Sequence, residues 1–162
     1  MGDPADGAAQ PSGGFRVATF AIIVQAGRVL LARRRDIGWW NLPGGGLESG
    51  EAVDEGLRRE VREEVHAEIE IVRPVGIYSK PQKKEVVLTF LCTLRPGAEE
   101  AIGPSEEVSE TGWFAPDALP GDLLPKHHQR VRDAFGGHAE ALLRTQRTST
   151  EEDQRRAPDE PA

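Results

Sequence analysis

Seven carboxylates, Glu48, Glu51, Asp54, Glu55, Glu60, Glu63 and Glu64, fall between Gly45 and Ala67, opposed only by Arg58, Arg59 and Arg62. The segment carries a formal −4 within a chain of net charge −7. If Ala52 to Val65 is helical, each residue turns about 100°. With Leu57 at zero, Val53, Val61 and Val65 form an apolar stripe from about −40° to 80°. Glu64 falls inside that stripe at about −20°, Glu60 on its edge at about −60°, and Glu63 beside them at about −120°. An acidic helix face is ordinarily just solvated. Glu64, however, points where Leu57 and Val61 point, and burying an unpaired carboxylate costs several kcal/mol. A cation must compensate, and Arg59 cannot neutralise all three acids. An oxygen-only donor set of this charge suits a hard ion, Mg²⁺ or Mn²⁺, and no Cys or His cluster suggests zinc. Upstream, Gly44-Gly45-Gly46 lets backbone approach a neighbour closely or take positive φ. It lacks the GK[ST] ending of a phosphate-binding P-loop.

The elements that must position these residues are legible in outline. Phe15 to Val24 and Val29 to Ala32 are apolar runs flanking Gln25-Ala26-Gly27-Arg28, a hairpin with Gly27 at its turn. Arg33 to Gly50, with three arginines, two tryptophans and LPGGGLESG, reads as a long loop, which calls for a functional reason. Ile69 to Tyr78 and Glu85 to Leu94 read as strands, Glu110 to Phe114 as a short further strand, and Pro125 to Leu143 as a helix with a break at Gly136-Gly137. This order predicts a mixed α/β sandwich, helices packed on a sheet that contains hairpins. Residues 1–14 and 144–162 lack periodicity and read as flexible tails around one domain, 15–143.

The segment from Gly45 to Ala67, GGLESGEAVDEGLRREVREEVHA, resembles the signature of the Nudix hydrolases, G-x5-E-x7-R-E-U-x-E-E-x-G-U with U apolar. Gly45, Glu51, Arg59-Glu60-Val61 and Glu63-Glu64 take their places in it. GWWNLPGG (Gly38 to Gly45) and ETGWFAPDALP (Glu110 to Pro120) are similar to the flanks. Two positions depart: His66 replaces the late glycine and Ala67 takes the final apolar place. The expectation is an altered helix end with the metal site kept, because His takes left-handed geometry more readily than most residues. The resemblance implies an α/β/α sandwich with a loop-helix-loop catalytic motif. It also implies metal-assisted hydrolysis of the pyrophosphate linkage in a nucleoside diphosphate derivative such as ADP-ribose, a nucleotide sugar or a nucleoside triphosphate. Glu60, Glu63 and Glu64 would hold Mg²⁺, with Mn²⁺ as substitute, Glu64 and Glu60 as direct ligands and Glu63 supporting; Arg59 would orient them, and Glu51 would brace the loop or contact the metal through water. Glu60, Glu106 or Glu107 would be the general base. The alternative reading is a nucleotide-binding sensor of the same fold without hydrolysis.

Around this centre, the expected substrate contacts are Arg33, Arg34 and Arg35, of which strand alternation turns one or two inward, with Gly44, Gly45 and Lys80. Lys80, Lys83 and Lys84 in SKPQKK also read as a charged hairpin tip. Trp39, Trp40, Tyr78, Trp113 and Phe114 read as core or as base-stacking partners. Pro81 lies where ADP-ribose-preferring family members carry a proline, though a turn proline explains itself. His127 and His128 lack a metal-ligand pattern. The lone Cys92 excludes an internal disulfide and suggests a reducing compartment, the cytoplasm. No apolar run is long enough for a bilayer, and the acidic charge argues against specific nucleic-acid binding. The resemblance leaves room for a homodimer.

Overall fold

A computed structural model describes residues 13–155. Eight strands and three helices follow one another as β1 (Arg16–Gln25), β2 (Arg28–Arg34), β3 (Trp40–Asn41), β4 (Gly44–Gly46), α1 (Val53–Val65), β5 (Ile69–Lys80), β6 (Glu85–Leu94), β7 (Val108–Phe114), α2 (Pro125–Phe135), β8 (Leu142–Thr145) and α3 (Thr150–Arg155). The β1–β2 hairpin turns through Ala26 and Gly27, both with positive φ (50° and 72°), the two-residue turn whose twist matches its strands. β5 and β6 form a second, longer hairpin, Ile69 opposite Leu94 and Lys80 opposite Glu85.

The sheet is mixed. β1 runs parallel to β6, and β8 parallel to β5, while the other pairings are antiparallel. β1 belongs to two sheets at once, pairing with β4 through Ala18–Phe20 and with β2 at Val24 and Gln25. The period-2 alternation of β1 and β2 divides the core. Ala21, Ile23, Leu30 and Ala32 pack with Leu57, Val61 and Val65 of α1. Ile22, Val29 and Leu31 pack with Val131 and Ala134 of α2. Both faces are thus covered by helices, the α/β/α sandwich anticipated from the element order.

Several boundaries differ from the sequence expectation. The loop from 33 to 50 contains β3 and β4, too short to show a period. The expected helix from Pro125 to Leu143 ends at Phe135, just before Gly136-Gly137, and Leu142 and Leu143 instead enter strand β8. The tail expected from 144 is corrected as far as residue 155. β8 pairs with β5 up to Thr145, Gln146 and Asp153 are buried, and α3 follows. This stretch is held by backbone pairing and by buried polar side chains, which hydrophobic periodicity does not register. The tails expected at 1–12 and 156–162 lie outside the described residues. Among the described residues no helix is long and apolar enough to cross a membrane.

Candidate active site at the carboxylate helix

α1 begins at a capping arrangement in which Glu55 accepts from the backbone N–H of Ala52 (2.9 Å), and it ends at His66 in the left-handed conformation (φ 58°, ψ 33°). The helix end therefore keeps the geometry a glycine would take. The His66 ring reaches the Pro104 carbonyl at 2.9 Å, tying α1 to the loop that carries Glu106 and Glu107. His66→Val is expected to lower stability by about 1–2 kcal/mol, because a β-branched residue resists this backbone. His66→Gly, which loses only the ring contact, should cost less than about 1 kcal/mol. Urea denaturation of the two variants measures both, and an equal loss would show that the ring rather than the backbone matters.

Leu57, Val61 and Val65 are fully buried, so the apolar stripe carries the neighbouring acids inward. Arg59 is their hub. Its guanidinium grips Glu51 with two hydrogen bonds (2.7 and 2.9 Å), and also donates to Glu60 and Glu63 (3.1 Å each) and to the Gly46 carbonyl (3.1 Å). That fork holds the Glu51 carboxyl below the usual carboxylate range, and Glu51 in turn accepts from the Glu48 backbone N–H at 2.7 Å. The loop is braced against the helix by one arginine.

Glu64 has no such partner. It accepts one hydrogen bond, from the Gly44 N–H at 3.0 Å, and burial pushes its carboxyl up to about 8, aided by the negative fields of Glu60 and Glu107. Burial raises Glu60 as well, despite Arg59. β4 is placed for this contact by its glycines. A side chain on Gly44 (φ 149°) would strike the backbone of β1, and one on Gly45 would lie 2.7 Å from the Glu60 carboxylate. Glycine here serves the protein's own close packing.

The acids line one end of a cleft of about 950 Å³. Arg34 and Arg35 lie at it, with Asp36. Arg34 is paired with Asp36 at 2.6 Å, and Arg35 donates to the carbonyls of Ser105, Glu106 and Val108, shaping the loop that brings Glu106 and Glu107 to the cleft. Arg33 turns elsewhere. It binds Asp122 (2.7 Å), Glu110 (3.3 Å) and the Gly38 carbonyl (2.8 Å), lies over Trp40, and does not line the cleft. Of the aromatics proposed for stacking, Trp40 and Tyr78 are buried, and none of the five lines the cleft. Phe20, not singled out by sequence reasoning, does line it. So do Lys80, Lys126, His127 and Arg130; the last three are contributed by α2, a helix whose four-residue spacing of Lys126 and Arg130 was the only sequence signal for them.

Among the described residues no three Asp, Glu, His or Cys side chains already stand in a chelating arrangement. Glu63 is 60% exposed on its side chain and engaged with Arg59. The donor chemistry nonetheless fits a hard divalent ion. Glu60 and Glu64 present oxygen donors, both are held against their charge by burial, and their negative charge exceeds what Arg59 supplies.

A profile of the NUDIX domain matches residues 14–135. The chain belongs to the NUDIX family. It is 33% identical over 137 residues to a MutT-like protein of Streptomyces ambofaciens, spanning 85% of this chain and 86% of that one. Its fold is similar to that of a NUDIX hydrolase from Nitrosomonas europaea (TM-score 0.74, 25% identity, 83% of this chain and 80% of the other). It is also similar to an ADP-ribose pyrophosphatase from Streptococcus suis (TM-score 0.64, 26% identity, 81% and 98%). NUDIX hydrolases generally use divalent metal ions, and this NUDIX chain is a hydrolase acting on phosphoric anhydrides.

Proposed function

We propose that this NUDIX hydrolase cleaves the pyrophosphate linkage of a nucleoside diphosphate derivative with Mg²⁺, for which Mn²⁺ can substitute, held by Glu60, Glu64 and, after rotation of its side chain, Glu63. The observation that carries this reading is the half-buried, underneutralised pair Glu60 and Glu64, the latter accepting the Gly44 N–H, at the end of a cleft of about 950 Å³. When bound, the divalent ion neutralises phosphate oxygens and acidifies water. The protein's own residues do the rest. Arg59 keeps Glu51 and Glu60 in one orientation, so these two acids do not reorganise during reaction. Glu107, which lines the cleft with Glu106 and whose field reaches both Glu60 and Glu64, is our first choice for the base that takes the proton of the attacking water, ahead of Glu106 and Glu60. Arg34, close enough to act on Glu64, faces the same end. Water adds across the P–O–P bond and two phosphate-terminated products leave.

The Streptococcus suis relative's name supports ADP-ribose as the first compound to try, beside nucleotide sugars and nucleoside triphosphates. Phosphate release coupled to a phosphatase, with Mg²⁺ and with EDTA, tests the proposal. Turnover of at least one compound class, lost in EDTA, is expected. No turnover of any of them, with Mg²⁺ binding confirmed by calorimetry, would overturn it.

A further inference from the structure

The cleft has a second, oppositely charged end that the anhydride chemistry does not use. Lys80 from the end of β5, Lys126 and Arg130 from α2 are 4%, 7% and 1% exposed and line it, with exposed Lys83 at its mouth. Glu85 is the one carboxylate lining this end. It pairs with Lys80 at 3.1 Å and lies 3.6 Å from Arg16. Lys126 donates to the Thr150 hydroxyl at 2.8 Å and has no carboxylate within ion-pair distance among the described residues. Arg130 lies between the rings of Phe20 and Tyr78 (5.1 and 5.2 Å). It gives one hydrogen bond, to Gln146 at 2.8 Å, and its Nε and Nη1 are buried without partners. Of the two acids behind them, Asp133 is engaged by Tyr78 and Arg144, and Asp153, bonded by Thr148, acts on Lys126 and Arg130 only from beyond ion-pair distance.

A cluster of buried, underneutralised cations is expensive to hold without a ligand. Burial together with the fields of Lys80, Lys83 and Arg130 pulls the Lys126 ammonium down to about 7. The two ends are also far apart. β1 and β6 stand between β4 and β5, so the backbones of Gly44 and Lys80 are at least three strand spacings, roughly 14 Å, apart, and α2 spans the cleft between them, its His127 accepting the Leu42 N–H at 3.3 Å. One molecule lying along the cleft can present one group to Glu60, Glu64 and Gly44 and another to Lys80, Lys126 and Arg130.

We propose that the basic end is a subsite for a second anionic group of the substrate, a phosphate monoester or a carboxylate carried on the part remote from the anhydride. This rests on the hydrolase reading above and narrows it to substrates that are doubly anionic in this sense. Matched pairs test it: NAD against NADP, dephospho-coenzyme A against coenzyme A, and UDP-glucose against UDP-glucuronate, the first two adding a phosphate monoester and the third a carboxylate. The more acidic member of at least one pair is expected to be favoured about tenfold or more in kcat/KM, through KM. Lys126→Gln should bring that ratio close to one; Lys83→Gln, an exposed change that cannot unfold the core, should lower it partway. A residue that merely supports the fold would lower both members together and leave the ratio unchanged, which would overturn the proposal, as would ratios near one for the wild type in all three pairs. The second readout needs no turnover. In EDTA, inorganic phosphate should raise the melting temperature of the wild type and not of Lys126→Gln. That rise without hydrolysis of anything would leave the subsite standing and sink the hydrolase reading; hydrolysis without the rise would do the reverse.

Discussion

Glu64→Gln should lower kcat/KM by more than about a hundredfold, beyond the range typical of residues that only support a metal's ligands, while the fold survives. The substitution keeps the shape of the side chain and one oxygen to accept the Gly44 N–H, but removes the charge that a divalent ion needs. Retained turnover with added Mg²⁺ would show that the ion is held elsewhere. The same variant makes a claim about stability. The folded wild type holds the Glu64 proton up to about pH 8, whereas the unfolded chain releases it near the ordinary value of 4.5. The folded state therefore binds more protons than the unfolded state between these limits, and its stability falls as pH rises through them. His127 and Lys126, both lowered by burial, push the other way in parts of this range, so the whole profile does not isolate Glu64. The difference in melting temperature between wild type and Glu64→Gln does. In EDTA the wild type should lose ground to the variant steadily from pH 5 to pH 8, and saturating Mg²⁺ should reverse the order at pH 8. A difference that does not change with pH would mean that the carboxylate is not buried as described.

Removing Arg59 should cost the most stability of any single change at this site. Arg59→Ala leaves Glu60 half-buried beside Glu64 with no counter-charge, and releases the loop held through Glu51 and the Gly46 carbonyl. Complete burial of an orphaned charge costs about 3–5 kcal/mol; partial exposure of the group reduces the expected loss to about 2 kcal/mol. Arg59→Lys should recover less than half of it, since an ammonium cannot reproduce the two-pronged grip on Glu51. Coupling supplies the sharper check. Adding Glu60→Gln to Arg59→Ala should restore part of the stability, because the neutral amide no longer needs the cation. Additive losses in denaturant titrations of the double variant would show that Arg59 acts mainly by packing.

What the sequence discloses of this molecule follows how local each feature is. α1 spans Val53–Val65 against an expectation of Ala52 to Val65, because a helix sets the relation of Leu57, Val61, Glu60 and Glu64 by itself. The first hairpin was equally readable, its turn being contained in Ala26 and Gly27. The arginine triplet was read only in part. Alternation separates Arg33 from Arg34, but Asp122, 89 positions away in sequence, is what draws Arg33 out of reach of the cleft. Least legible was the basic end. Lys80, Arg130 and Thr150 come from three separated stretches, each of which alone looks like a charged or polar surface run. Packing of α2 on β5, which lays Arg130 over Tyr78, and the parallel pairing of β8 with β5, which leads the chain back to Thr150, draw them together. Parallel pairing leaves no turn signature for a sequence to show.

The order of charges along the cleft is also an order in time. Every group at the acidic end except the Glu106–Glu107 loop lies within residues 34–64, whereas Lys126, Arg130 and Thr150 are the last contributors to the opposite end. Because a chain is synthesised from its N-terminus and a domain folds as a unit, neither end of the cleft can assemble before α2, β8 and α3 have been made. Residues 144–155, which look like a tail in the sequence, are thus the step on which completion of the cleft waits.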